Sequence, residues 1–201
     1  MLFRSQRQCL ADDGIDLRYL KTHPTEPTGT AIILVADEGQ NSIVVTPAAN
    51  YGILPGDIAG MAALFEAADA VLLQLEIPLE TVGAALELAR RCGTLSILDA
   101  GPAQPLSPDL MAKADIVSPN ETEAEALTGI RVDSLEDADR AAEKLLEMGV
   151  RHAVMKLGAH GSLYLGENRV YVPAFMVTPV DTTAAGDAFT AALAVAWKDR
   201  P

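Results

Sequence analysis

The chain has 201 residues, 49% of them hydrophobic, and its 15 Lys and Arg against 28 Asp and Glu leave a net charge of −13. That length and apolar share suit one folded domain with a substantial core rather than a disordered chain, and the acidic balance argues against a broad nucleic-acid or anionic-membrane footprint. Cys9 and Cys92 are too few and too unpatterned for a disulfide framework or a zinc site, and with neither a signal-peptide core nor a bilayer-spanning run the expected compartment is the cytoplasm.

Residues 6–13 read as a helix that stops at Gly14. Segments 30–35 and 42–46 are β-rich, and Asp37-Glu38-Gly39-Gln40-Asn41 supplies turn chemistry between them, which predicts a hairpin. From Pro55 the pattern alternates. Helices are expected over 57–67, 79–91, 108–113, 121–127 and 135–148, and strands over 70–75, 95–98, 115–117 and 153–156. Two further strands, 162–165 and 170–172, flank the turn Gly166-Glu167-Asn168, and the apolar run 189–197 predicts a buried helix.

Apolar strands separated by helices indicate an α/β fold, a doubly wound and mostly parallel sheet covered on both faces. Ligands of such sheets gather beyond the carboxyl ends of the strands. Glu76, Asp99, Asn120 and Gly158 each follow a predicted strand there.

Two stretches carry chemistry in their own residues. Asp181-Thr182-Thr183-Ala184-Ala185-Gly186-Asp187-Ala188-Phe189 reads as a loop entering a helix. Its small residues admit a ligand to the backbone, the free N–H groups and the positive end of the helix seat a phosphate, and Asp187 in the first turn is placed to take a proton from an attacking hydroxyl. An acid beside Gly at a helix start is also ordinary capping chemistry. Asn120 followed three residues later by Glu123 likewise fits a capping box, and Glu76 fits an acid favoured by a helix start. His160 lies in a predicted turn while His23 and His152 stand apart, so histidine metal ligation is not expected.

The nonapeptide D-T-x-A-A-G-D-x-F resembles the C-terminal signature of the ribokinase-like (PfkB) family of carbohydrate and nucleoside kinases. The N-x-x-E stretch at Asn120 to Glu123, the segment around Glu76 and Lys156-Leu157-Gly158-Ala159-His160-Gly161 are similar to that family as well. The resemblance implies ATP-dependent phosphorylation of D-ribose to D-ribose 5-phosphate, with other sugars or a nucleoside as alternatives. Asp187 is then the base, and the N–H groups of Ala184, Ala185 and Gly186 stabilise the transferring phosphoryl group. Glu76 contacts sugar hydroxyls, Asn120 sits near the nucleotide phosphates, and Glu123 organises Mg²⁺ through water. Gly158 and Gly161 let backbone approach ATP, where Lys156 either meets a phosphate or is solvated. Asp181 and Thr183 contribute to a monovalent-cation site, usually K⁺. Segment 28–48 forms part of a β lid over the sugar, which also pairs subunits into a homodimer. Neither nucleic acid nor membrane is an expected partner. The Gly-Gly-x-x-x-Asn segment with which such chains begin is missing, and the chain stops soon after the signature helix. The expectation is thus a single domain over 1–201, incomplete at both ends. It is either a working kinase or a truncated, inactive chain that at most binds nucleotide or pairs with another subunit.

Overall fold

Runs of β-branched residues at 30–35 and 41–46 pair with one another first. In the computed structural model, which describes residues 6–35, 41–178 and 182–198, β1 (Thr30–Val35) and β2 (Asn41–Thr46) run antiparallel from Thr30 opposite Thr46 to Val35 opposite Asn41. The predicted turn between them lies, apart from Asn41, outside the described residues. Ile32, Ile33, Leu34, Val44 and Val45 are all exposed. Because neighbouring strand residues point to opposite faces, both faces of the hairpin are apolar, and a two-stranded pair is marginal in water without a cover.

The fold divides into two compact units, Met1–Gly52 and Ile53–Pro201. The first holds the hairpin, helix α1 (Gln6–Asp12) and a 3₁₀ turn at Ala48–Gly52. The second holds the sheet. Its strands are β3 (Ala70–Leu73), β4 (Leu95–Asp99), β5 (Ile116–Ser118), β6 (His152–Lys156), β7 (Ser162–Leu165) and β8 (Arg169–Val172), hydrogen-bonded in that order. The first four are parallel, and β7 and β8 add antiparallel at the β6 side.

Strand alternation decides which residues meet which helices. Leu98, Val117, Ala153 and Met155 point to one face, against Val82 and Leu86 of α4 (Leu79–Cys92), Ala124 and Leu127 of α6 (Glu121–Thr128), and α7 (Leu135–Glu147). In α7 the buried set Ala138, Ala141, Ala142 and Leu145 has the i, i+3, i+4, i+7 spacing of a single helical stripe. Ile97, Ile116 and Val154 point to the other face and pack against Phe189, Leu193, Ala194 and Trp197 of α8 (Ala185–Lys198). Helices therefore flank both faces of a mostly parallel sheet, as the alternation predicts. Among the described residues no helix is long and apolar enough to cross a membrane.

Two expectations need correction. The helix expected over 57–67 is broken at Gly60-Met61 into α2 (Pro55–Ala59) and α3 (Ala62–Ala67), with Gly60 as the C-cap of the first; a glycine loses more backbone freedom than any other residue in a helix interior. The apolar run near the C-terminus is a helix but not a buried one: only Thr190 is buried, and Val195 is 69% exposed. An apolar run carries no mark of which side has a partner, and here one stripe alone meets the sheet.

Candidate active site at the strand ends

β4, β5 and β6 end side by side, and the residues that leave them converge. Lys156 at the end of β6 donates its N–H to Pro119 O at 2.8 Å and forms a parallel bridge with Asn120. Asn120 caps α6: its Oδ1 accepts from Glu123 N at 2.8 Å, while Glu123 accepts from Asn120 N at 2.7 Å and from Asn120 Nδ2 at 2.9 Å. The capping-box reading of this stretch is therefore realised. The same geometry also delivers a buried carboxylate to the strand ends.

Glu123 is 7% exposed. Burial pushes its carboxyl above the ordinary range; the Asn120 N–H and the Lys156 ammonium pull it back, and Asp99 pushes it up further. A group whose protonated form is favoured by folding contributes stability at low pH and loses it as pH rises through the raised pKa. The stability of the native chain relative to Glu123→Gln is accordingly expected to fall as pH rises above the ordinary carboxylate range, read as paired melting curves across pH. A difference that grows with pH over that window would contradict a raised carboxyl at Glu123.

Lys156 is not a solvated strand-end lysine. Its side chain is 13% exposed, its Nζ donates to both oxygens of Asp99 at 2.7 Å, and Glu123 Oε2 lies 3.7 Å away. Thr190 of α8 donates to Asp99 Oδ2 at 2.7 Å. Directly above the pair is the start of α8: a Cβ placed on Gly186 would lie 3.7 Å from Lys156 Nζ and 4.0 Å from Asp99 Oδ2.

The first turn of α8 has the backbone of an anion seat. Ala184 adopts a left-handed φ of 60° and its carbonyl accepts the first helical bond, from Ala188 N at 3.0 Å. First-turn N–H groups have no acceptor within their helix. Ala185 N–H is drawn back onto Thr182 O at 3.2 Å, so this turn must open before Ala185 can donate to a ligand, whereas no such bond holds Gly186 N–H among the described residues. Asp187 is exposed, and its Oδ1 accepts from Gln74 Nε2, just past the end of β3, at 2.8 Å. Glu76, two residues beyond Gln74, is exposed in the loop that enters α4. Gly158 and Gly161 bound a tight turn just after β6. Thr183 is exposed, and Asp181 lies outside the described residues.

Among the described residues no three His, Cys, Asp or Glu side chains gather as a metal cage. Both Glu123 oxygens are already occupied as acceptors. That donor set fits Mg²⁺ only as a hydrated ion carried by phosphates, since Mg²⁺ keeps several waters and takes few protein ligands.

Asp99 as the partner of Lys156, Thr190 as its second partner, and Gln74 as the partner of Asp187 were not foreseen. The polarity of Asp99 at a strand end is visible in the sequence, but nothing local joins it to residues 57 and 91 positions away.

Residues 4–200 match the family described as pfkB family carbohydrate kinase. Ribokinase from Haemophilus influenzae is 37% identical over 188 residues, which cover 92% of this chain and 61% of that protein. Deoxyribokinase from Salmonella typhi is also 37% identical, over 178 residues covering 88% of this chain and 58% of the relative. The solved structure of Arabidopsis thaliana ribokinase complexed with ribose and ATP superposes with a TM-score of 0.82 at 34% identity, over 92% of this chain and 61% of that one. The chain thus spans about three-fifths of the length of the relatives it matches.

Proposed function

The chain belongs to the pfkB family of carbohydrate kinases, and on that premise we propose that it transfers the terminal phosphoryl group of ATP to the primary hydroxyl of D-ribose. The observation that carries the reading is Asp187 in the first turn of α8, an exposed carboxylate beside the anion seat, steadied by Gln74 at the end of β3.

Asp187 takes the proton of the attacking hydroxyl as its oxygen bonds to the terminal phosphorus of ATP and the bond from that phosphorus to the ADP oxygen breaks. Gly186 N–H, the positive end of α8 and Ala185 N–H once its turn opens stabilise the charge on the transferring group; the left-handed Ala184 aims them. Glu76 accepts hydroxyls of the sugar. Asn120 and the backbone around Gly158 and Gly161 hold the nucleotide, and the Lys156 ammonium, held on Asp99 beneath Gly186, favours the charge that builds up there as the phosphoryl group transfers. Glu123 would hold the water shell of a Mg²⁺ ion carried by ATP, whose charge would neutralise phosphate oxygens. Thr183 and Asp181 take part in a K⁺ site. The exposed apolar hairpin β1–β2 pairs subunits into a homodimer, in the cytoplasm.

The test is ADP release by the purified chain with Mg-ATP and K⁺, with D-ribose, 2-deoxy-D-ribose, fructose and adenosine as separate arms. Turnover with ribose above all other arms supports the full reading. Preference for 2-deoxyribose replaces the substrate and keeps the chemistry, an arm warranted by the deoxyribokinase that is equally similar. A folded chain that turns over none of them overturns the proposed activity.

A further inference from the structure

The chemistry above gives no task to Asp99, yet Asp99 is among the most enclosed charged groups of the sheet. It is 4% exposed, with Lys156 on one side and Thr190 on the other. Its register partner Ser118, at the end of β5, is fully buried, and the Ser118 Oγ has no hydrogen-bond partner among the described residues. With Glu123 the cluster places two carboxylates, one ammonium and the Ser118 hydroxyl at the strand ends, and α8 adds the Thr190 hydroxyl. Burying an ion pair has a desolvation cost that apolar residues of similar size would avoid, so a buried pair is weak evidence for stability by itself. What this pair does uniquely is join elements: β4 through Asp99, β6 through Lys156 and α8 through Thr190.

Thr190 lies three residues beyond Asp187, less than one helical turn at 3.6 residues per turn. The apolar stripe of α8, Phe189, Leu193, Ala194 and Trp197, is greasy contact that tolerates sliding. A short bond from Thr190 Oγ1 to an immobilised carboxylate does not. We propose that Asp99, clamped by Lys156, is a positioning residue that acts through Thr190 to set the rotation and height of α8, and thereby the placement of Asp187 and the Gly186 N–H. This rests on the kinase reading for its consequence, but not for the tether itself. Lys156 then works from below the site, as the clamp of Asp99, rather than as a phosphate ligand.

Thr190→Val keeps the shape of the side chain and removes only the donor, and Thr190→Ser restores the donor. Two readouts are taken on both. The first is amide exchange of the opening turn of α8 relative to α6 and α7. Losing a hydrogen bond to a charged acceptor is expected to speed exchange there by roughly 10- to 100-fold in Thr190→Val, with Thr190→Ser close to the native chain. The second is kinetics: kcat falls about 10-fold or more in Thr190→Val, the KM values for ATP and sugar stay within about threefold, and Thr190→Ser recovers the loss. Lys156→Met is expected to follow the same kcat-dominated pattern. Should Thr190→Val fail to fold, Thr190→Ala carries the same comparison. Unchanged exchange in the opening turn overturns the tether. An effect of Lys156→Met confined to the KM for ATP overturns the clamp and makes Lys156 a direct ligand. A native chain without sugar-kinase turnover sinks the proposed function, while the exchange data still decide the tether.

Discussion

Asp187→Asn is expected to lower kcat by about 10²- to 10⁴-fold, the range for loss of a positioned general base. The substitution is clean because of the surroundings of this side chain. Asp187 is exposed, its hydrogen-bond partner is the Gln74 amide at 2.8 Å, and the Asn side-chain oxygen can accept that same bond. Orientation is kept and basicity is lost. On the stability side, a first-turn carboxylate gains about 0.3–1 kcal/mol from the helix dipole, so the variant melts slightly lower and remains folded at assay temperature. The KM values for sugar and nucleotide should move little, because proton removal matters in the transition state and not in ground-state binding. Steady-state kinetics with circular dichroism on the same samples checks this. A variant that keeps more than about a tenth of the native kcat would remove Asp187 from the role of base.

The parts of this site that are legible in the sequence are those written in short, contiguous stretches. The loop-to-helix signature around Gly186-Asp187, the capping spacing of Asn120 and Glu123, and the glycines after β6 all lie where their local chemistry puts them, at strand ends or helix starts. The fold is legible for a similar reason, because strand and helix periods are local and βαβ connections leave few topologies. What escapes is pairing across distance. Asp99, Lys156 and Thr190 come from β4, β6 and α8, and each alone is an ordinary residue at an element end or on an apolar helix. The depth of α8 escapes as well: composition reports that its residues prefer burial but not how many neighbours the sheet offers. The break at Gly60 is a matter of a single residue against an otherwise helical pattern, and one glycine decides it only when the segments on either side pack in different directions.

Gly161→Ala is expected to destabilise the chain by about 2–6 kcal/mol, the sum of a backbone conformation that side chains avoid and of overpacking against groups that cannot move. Gly161 has φ 99° and ψ −132°, in the region left open to glycine. An added Cβ would stand 2.1 Å from Val172 O, 2.6 Å from Ala174 N and 2.8 Å from Pro173 C, and all three are main-chain atoms. No rotamer change relieves such contacts. The turn is also tied from inside, by Leu157 N to Gly161 O at 2.8 Å and Gly161 N to Gly158 O at 3.1 Å, and from outside by the Tyr171 hydroxyl donating to His160 O at 2.6 Å. To accept the methyl group, either the turn lifts away from β8 and breaks the Tyr171 bond, or the strand pulls off its edge. Gly56→Ala provides the contrast: within α2, with nothing within 4 Å of the added atom and no positive φ, the same change is expected to stabilise by about 0.4–1 kcal/mol through the unfolded chain. Denaturant unfolding of both variants measures the two effects in one experiment. Since each adds one methyl group, opposite shifts of the midpoint report backbone geometry and close approach alone, whereas equal shifts would mean that the turn after β6 is not packed against the end of β8 as described.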